Sequence, residues 1–271
     1  MKNITTLLIK KLRIKTGAGV IDCKKALIKT QGDIEKSIDF LRKLGRIKAE
    51  KKQLFSATNG AIFIDYNSKC AAILELNCET DFVSKENSFI SFGRDIINYV
   101  ITSGIHNNAL LQKIFEEKRI DLVSKVNENI VIRRIATLNG NNIGNYLHHN
   151  RIGVLVQSTS YDNKKLIKNI AMHIAASKPE YLRSDLIPNY VIEREYKIQL
   201  ELAMKSKKPE SIVEKIVKGR MIKFSNEKTL FGQTFILDPK KTVGDIIIEN
   251  NIEINSFIRF ELGELISNKP C

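Results

Sequence analysis

The hydrophobic period of this chain changes near Asn59, and that change limits the folds open to it. Upstream the apolar residues recur at helical spacing. Ile4, Leu7, Leu8, Leu12 and Ile14 form a stripe that stops at "TGAG", and Val20, Cys23 and Leu27 share one face of a second helix over Val20 to Thr30. A third helix opens at "QGDIEKSIDFLRKLG", where Gly-Asp makes a good cap and Ile34, Ile38 and Leu41 keep the period. Three short helices bury a modest core. The basic "RIKAEKKQLFS" that follows reads as a solvated helix end leading into a linker.

From Asn59 the pattern alternates. "GAIFIDYNSKCAAILELNCETDF" predicts a hairpin, with Leu74, Leu76 and Cys78 inward and Glu75, Asn77 and Glu79 outward on a half-buried strand. Phe89, Phe92, Ile96, Ile97, Val100 and Ile101 then mark an amphipathic helix. The same order returns in "GNYLHHNRIGVLVQSTSYD" and "NKKLIKNIAMHIAASKPEYL", so strand, turn, strand, helix occurs twice. A helical stretch from about Asp121 to Leu138 is expected to join the two copies. Between Ile187 and Phe224, "VIEREYKIQLELAMKS" and "IVEKIVKGRMIKF" flank a Pro-containing turn. They predict an antiparallel helical hairpin in which Val191, Tyr196, Leu200 and Ala203 face Ile212, Ile216, Val217 and Met221. It is too charged to lie wholly inside a core, so it should project. "GQTFILDPKKTVGDIIIE" and "SFIRFELGELI" then return to strands and a short helix, which makes the hairpin an insertion in the second copy.

The fold class is therefore α+β. The expected partition is a helical module over 1–54, a core subdomain over 55–140, and a second core subdomain in two parts, 141–186 and 226–263. The inserted hairpin spans 187–225, and a short tail 264–271.

The formal net charge of +14 suggests a nucleic-acid binder, but the lysines are spread along the whole chain, as a general compositional drift would place them. Cys23, Cys70, Cys78 and Cys271 contain no C-x-x-C pair, so reduced thiols are the default. The start, "MKNITTLLIKKLRIK", is too soon charged for a signal peptide, and no run of eighteen apolar residues predicts a membrane span. A cytoplasmic location is expected. Enzymatic machinery is missing from the motifs: there is no phosphate loop, no dinucleotide fingerprint, no nucleophile elbow and no H-E-x-x-H. "TGAG" sits between helices and terminates one. His148 and His149 are neighbours whose side chains should point apart, His173 lies on an apolar stripe as a packing residue, and His106 carries no further signal. Glu79 and Asp81 alone make a thin case for Mg²⁺. No cofactor and no metal site are expected.

One junction stays unexplained by these readings. In "ELNCETDFVSK" the alternation stops at Thr80-Asp81-Phe82-Val83, setting an acid beside a large aromatic where a strand hands over to a helix. Phe82 is either a core residue capping the Phe89–Phe92 helix or a ring left for another molecule to cover. This segment and "LRIKTGAGVIDCKKAL" (Leu12 to Leu27) resemble the two signatures of the elongation factor Ts family. Colinear similarity continues in "ENIVIRR", "RIGVLV", "AMHIAASKPEYL", "KGRMIKF" and "FIRFELGE".

The resemblance implies an N-terminal three-helix (UBA-like) module, two related α+β subdomains with antiparallel sheets, and a protruding helical hairpin. It also implies a partner, the GTPase elongation factor Tu, and a function, nucleotide exchange during translation elongation. Thr80, Asp81, Phe82 and Val83 would then press beside the magnesium site of that GTPase and help dislodge the ion. Arg13, Val20 and Ile21 would grip its nucleotide domain, while His148, Ile236 and Leu237 would contact it elsewhere. No direct nucleic-acid contact and no membrane contact are implied, and the hairpin leaves a 2:2 assembly open. The sequence stops at "LISNKPC", so a further C-terminal helix common in the family is expected to be missing or vestigial, shifting contact to the N-terminal module. A rival reading from another class is a basic RNA-binding accessory protein.

Overall fold

A computed structural model of the protein describes residues 4–159, 163–205 and 209–265. It is a mixed α+β structure with small antiparallel sheets, and it divides into two compact units. The first holds residues up to Asn67, Ala72–Thr137 and Glu261–Leu265, and the second holds Ser68–Ala71 and Leu138–Phe260. Cys271 and the residues between the hairpin's two helices at 206–208 lie outside the described residues.

The first unit begins with α1 (Thr6–Thr16), α2 (Val20–Lys29) and α3 (Ile34–Lys52) around a core of Leu12, Cys23, Ala26, Leu27 and Leu41. Gly17 adopts a left-handed φ of 68° and returns its N–H to Arg13 O at 2.7 Å, which stops α1 as the "TGAG" reading requires. Asp33 caps α3 by accepting from Lys36 N at 3.0 Å. The end of α3 is largely exposed, as its basic composition predicts, but one face of it is covered. It packs on α6 (Asn108–Val126), Gly45 resting against Ser124 and Ala49 buried, and Arg46 pairs with Glu117. A missing side chain at Gly45 permits this approach, a contact that composition could not announce.

Strands β1 (Asn59–Tyr66), β2 (Cys70–Cys78) and β3 (Val131–Asn139) form a sheet in the order β1-β2-β3. Helices α4 (Asp81–Ser84) and α5 (Asn87–Ser103) follow β2. The predicted helix over Asp121 to Leu138 holds only as far as Val126, and the rest is overturned. Asn127 turns left-handed (φ 57°) with its N–H on Val123 O, ending α6, and the chain re-enters as β3. Val123, Val126 and Ile130 fall at helical spacing across the break, which hides it from the periodicity. Nor is β2 half-buried. As the middle strand it is covered on both faces, so Glu75 and Asn77 are buried with Leu74 and Leu76. Glu75 is compensated by Arg133 (2.7 Å) and Arg134 (2.6 Å), and its Oε1 also accepts from Gly263 N at 2.9 Å.

The second unit repeats the theme. Strands β4 (Ile143–His148) and β5 (Ile152–Ser158) pair antiparallel from Ile143↔Gln157 to His148↔Ile152, and β8 (Ile254–Glu261) lies beside β5. Helix α7 (Lys164–Ser177) packs across β4 and β5, burying Ile167, Ile170 and Ile174 against Val154 and Val156. The hairpin is α8 (Asn189–Met204) and α9 (Glu210–Lys228), with Pro209 setting the start of α9. Its seam keeps Leu200, Ala203, Ile216, Val217 and Met221 of the predicted set and adds Val213. Ala203, Val213 and Val217 are buried with Leu200, Ile216 and Met221 against them, while Tyr196 and Ile212 are exposed. Gln199 bridges Glu195 of α8 and Arg220 of α9. The unit closes with the ribbon β6 (Thr234–Phe235) and β7 (Asp238–Thr242) and with α10 (Val243–Glu249), whose Thr242–Asp245 capping box is complete. Among the described residues no helix is long and apolar enough to cross a membrane.

Candidate partner-binding site

At the end of β2 the chain must leave a buried strand and start a helix within two residues, which frees backbone N–H groups that need acceptors. The sequence supplies Thr80, whose β-region backbone and hydroxyl cap α4, accepting from Val83 N at 3.4 Å. It also supplies a distant carboxylate. Glu128 Oε2 accepts from Glu79 N (3.1 Å) and Thr80 N (2.9 Å), and its Oε1 accepts from the Thr80 hydroxyl at 2.6 Å. Glu79 in turn accepts from Lys52 Nζ (3.1 Å) and Asn129 N (2.7 Å), and its carbonyl accepts from Asn59 Nδ2 at 2.8 Å. Burial pushes the Cys78 thiol up to about 12, so it stays protonated at neutral pH and donates to Thr80 O at 3.0 Å.

This frame decides what α4 shows. Val83 is 8% exposed and anchors the turn from below, whereas Phe82 is 79% exposed. The reading of Phe82 as a core cap over Phe89 and Phe92 is therefore overturned: those two rings are buried without it, Phe89 beside Phe63 and Phe92 edge-on to Phe115. Asp81 is exposed and receives Lys85 Nζ at 2.7 Å, one turn along. The hydrogen bond and the charge of Lys85 hold its carboxyl below the usual aspartate range, so Asp81 is ionised at neutral pH. Thr80, by contrast, spends its hydroxyl inside the chain. The turn therefore presents an outward ring and an ionised acid on a fixed backbone.

A family model described as "Elongation factor TS" matches residues 79–264. The chain is 57% identical over 264 residues to elongation factor Ts of Buchnera aphidicola subsp. Baizongia pistaciae (strain Bp), covering 97% of this chain and 99% of that protein. It is 52% identical over 266 residues to elongation factor Ts of Hamiltonella defensa subsp. Acyrthosiphon pisum (strain 5AT) and 51% identical over 266 to that of Yersinia pestis (strain Pestoides F). Each of these two alignments covers 97% of this chain and 93% of the relative. The chain belongs to the elongation factor Ts family. It is thus a translation elongation factor, and the family match begins at Glu79, one residue before the Thr80 cap.

The other residues singled out from the elongation factor Ts resemblance fall into two groups. Arg13, Val20 and Ile21 are exposed around the α1–α2 turn, with Ile14 beside them in the chain and Leu12 and Cys23 turned into the core. His148, Ile236 and Leu237 belong to the second unit. His148 closes β4 and is exposed, stacked on Tyr146 with the Tyr146 hydroxyl 3.1 Å from its Nδ1. The expectation that His148 and His149 point apart fails. His149 and Asn150 both take left-handed φ (48° and 55°) in the hairpin turn, which brings the two rings to 4.3 Å between centroids. Ile236 and Leu237 form the exposed tip between β6 and β7. That tip is held from inside by buried His173, whose Nδ1 accepts from Ile236 N (3.3 Å) while its Nε2 sits 3.0 Å from Gln233 Oε1. Sequence reasoning missed Lys52, Glu128 and Asn129. Glu128 lies 48 residues from Thr80, and the only signal was its place at the head of "ENIVIRR".

Proposed function

We propose that the chain is the guanine nucleotide exchange factor of elongation factor Tu in the cytoplasm, and that Asp81 and Phe82 act on the magnesium and phosphate end of the bound GDP. The observation that carries this reading is the outward Phe82 ring on a turn held by the Thr80–Glu128 bond on one side and buried Val83 on the other. Burying that ring in a cleft of the GTPase contributes about 1.5–3 kcal/mol of apolar transfer. The Asp81 carboxylate enters with its charge and competes for the donors and water around the metal. Mg²⁺ in the partner would neutralise phosphate charge on the nucleotide, so displacing it would remove a large share of nucleotide affinity. No covalent bond changes. The factor binds the empty GTPase better than the loaded one, and linkage requires GDP to weaken the factor by the same ratio. Incoming GTP then displaces it.

Arg13, Val20 and Ile21 supply the grip on the nucleotide domain, and His148, Ile236 and Leu237 a second contact. The test is release of a fluorescent GDP from elongation factor Tu. Wild-type chain should accelerate it, and the double substitution Asp81→Ala, Phe82→Ala should slow release at least tenfold with the fold intact. Normal exchange by the double variant removes the assignment of this turn.

A further inference from the structure

We propose that Glu128 is the positioning residue for the Asp81–Phe82 turn, acting through Thr80 and, with Asn129 and Lys52, through Glu79. This rests on the exchange reading above and names the part of the molecule that makes its docking turn rigid. A single carboxylate takes three donors from the strand-to-helix junction: Glu79 N, Thr80 N and the Thr80 hydroxyl. Charge-assisted bonds of this kind are about twice as strong as neutral ones. Because the Thr80 hydroxyl gives its proton to Glu128, a lone pair is left for Val83 N, so cap and clamp fix each other's direction.

The next residue along repeats the arrangement. Asn129 N donates to Glu79, its Nδ2 donates to Phe55 O at 2.8 Å, and Lys52 at the end of α3 reaches the same Glu79 carboxylate. Further down the same segment Arg133 and Arg134 hold Glu75. "ENIVIRR" and "ELNCETDF" are thus one device, the first segment gripping the second at Glu75, Glu79 and Thr80. Phe82 makes no use of this grip for burial. What the grip does is hold an exposed ring ready, so that docking orders little further chain, and a misplacement of about 1 Å in such an element can cost on the order of a hundredfold in rate.

The experiment compares Glu128→Ala with Glu128→Gln in full-length chain, using stopped-flow release of N-methylanthraniloyl-GDP from elongation factor Tu. Glu128→Ala should lower the maximal release rate at least tenfold while changing the half-saturating concentration less than threefold. Glu128→Gln should stay within threefold of wild type, because its carbonyl accepts both backbone N–H groups and its amide donates to the Thr80 hydroxyl oxygen. In a Phe82→Ala background, Glu128→Ala should add less than twofold. A residue that merely supports the fold would instead multiply with Phe82→Ala. Amide hydrogen exchange of the free protein is read in parallel. Exchange at Thr80 and Val83 should rise at least tenfold in Glu128→Ala and not in Glu128→Gln, with Leu74 of β2 unchanged.

If Glu128→Ala does not fold, Thr80→Val cuts the clamp from the other side and should give the same loss. A wild-type maximal rate in Glu128→Ala, multiplicative effects with Phe82→Ala, or unchanged protection at Thr80 and Val83 would overturn the proposal. Should wild type fail to release GDP at all, the exchange reading falls, and the amide protection still decides the clamp.

Discussion

Phe82 and Val83 are adjacent and have opposite physical fates. Phe82→Ala removes an exposed ring and should change unfolding free energy by less than about 0.5 kcal/mol, whereas Val83→Ala empties a packed site under the turn and should cost about 2 kcal/mol. Urea denaturation of the two variants checks the contrast, and GDP release should be lost in the first without any loss of stability. His173 gives a pH prediction. Burial lowers its pKa beneath the ordinary 6.5, and the Gln233 contact opposes this only in part. Above pH 6.5 the folded and unfolded states are both neutral there, so the full stability is present. As pH falls below 6.5 the unfolded state takes the proton first, and stability drops by up to about 1.4 kcal/mol per pH unit until the folded pKa is reached. Urea midpoints at pH 7.5 and 5.5 should therefore differ more in wild type than in His173→Gln. The Ile236–Leu237 tip should loosen only at lower pH still, once the folded state itself takes the proton, since the imidazolium no longer accepts from Ile236 N.

Helix–sheet packing in both units depends on one absent side chain, placed on opposite partners. In the first unit Gly93 of α5 receives the Phe63 ring of β1, and an added Cβ would meet it at 2.3 Å. In the second, Gly144 of β4 receives Ile167 of α7 at the same separation. Gly93→Ala would gain about 1 kcal/mol of helix propensity, but the clash requires moving a ring inside the core. Net destabilisation of about 1–3 kcal/mol is expected, visible as a lower Tm. An unchanged or raised Tm would show that Phe63 has room to rotate.

A chain with a net charge of +14 invites an electrostatic account of whatever it binds. Ion pairs such as Lys48–Asp22, Lys52–Glu79, Lys118–Asp95 and Lys241–Glu249 break up the positive surface locally, although they leave the net charge unchanged. Complex formation driven by Phe82 and the apolar edge of the α1–α2 turn should lose less than about tenfold in affinity between 50 and 200 mM salt. An RNA interface of six to ten phosphate contacts would lose about 10³–10⁵. Under the proposed division of roles, in which Arg13 and Ile21 grip while the Phe82 turn acts, Arg13→Ala with Ile21→Ala should raise the half-saturating concentration roughly tenfold at an unchanged maximal rate. A lowered maximal rate with normal half-saturation would reverse the two roles.

The local pattern alone settled the three N-terminal helices, the repeated strand-turn-strand-helix order and the inserted hairpin. Each is written by contacts within a few residues: an apolar period, a Gly at a left-handed cap, a Pro before α9. Local pattern also singled out the Asp81–Phe82 junction, because its alternation breaks where a strand ends. Tertiary structure decided the rest. It buried Glu75 and Asn77 on a strand that reads as amphipathic, since two arginines 58 and 59 residues away neutralise the charge. It ended α6 at Asn127 inside an unbroken helical period and turned His149 back against His148. It also chose which of two neighbours at the turn faces solvent. A carboxylate from a segment 48 residues along completes the cap, and no periodicity reports a hydrogen bond between residues so far apart in sequence.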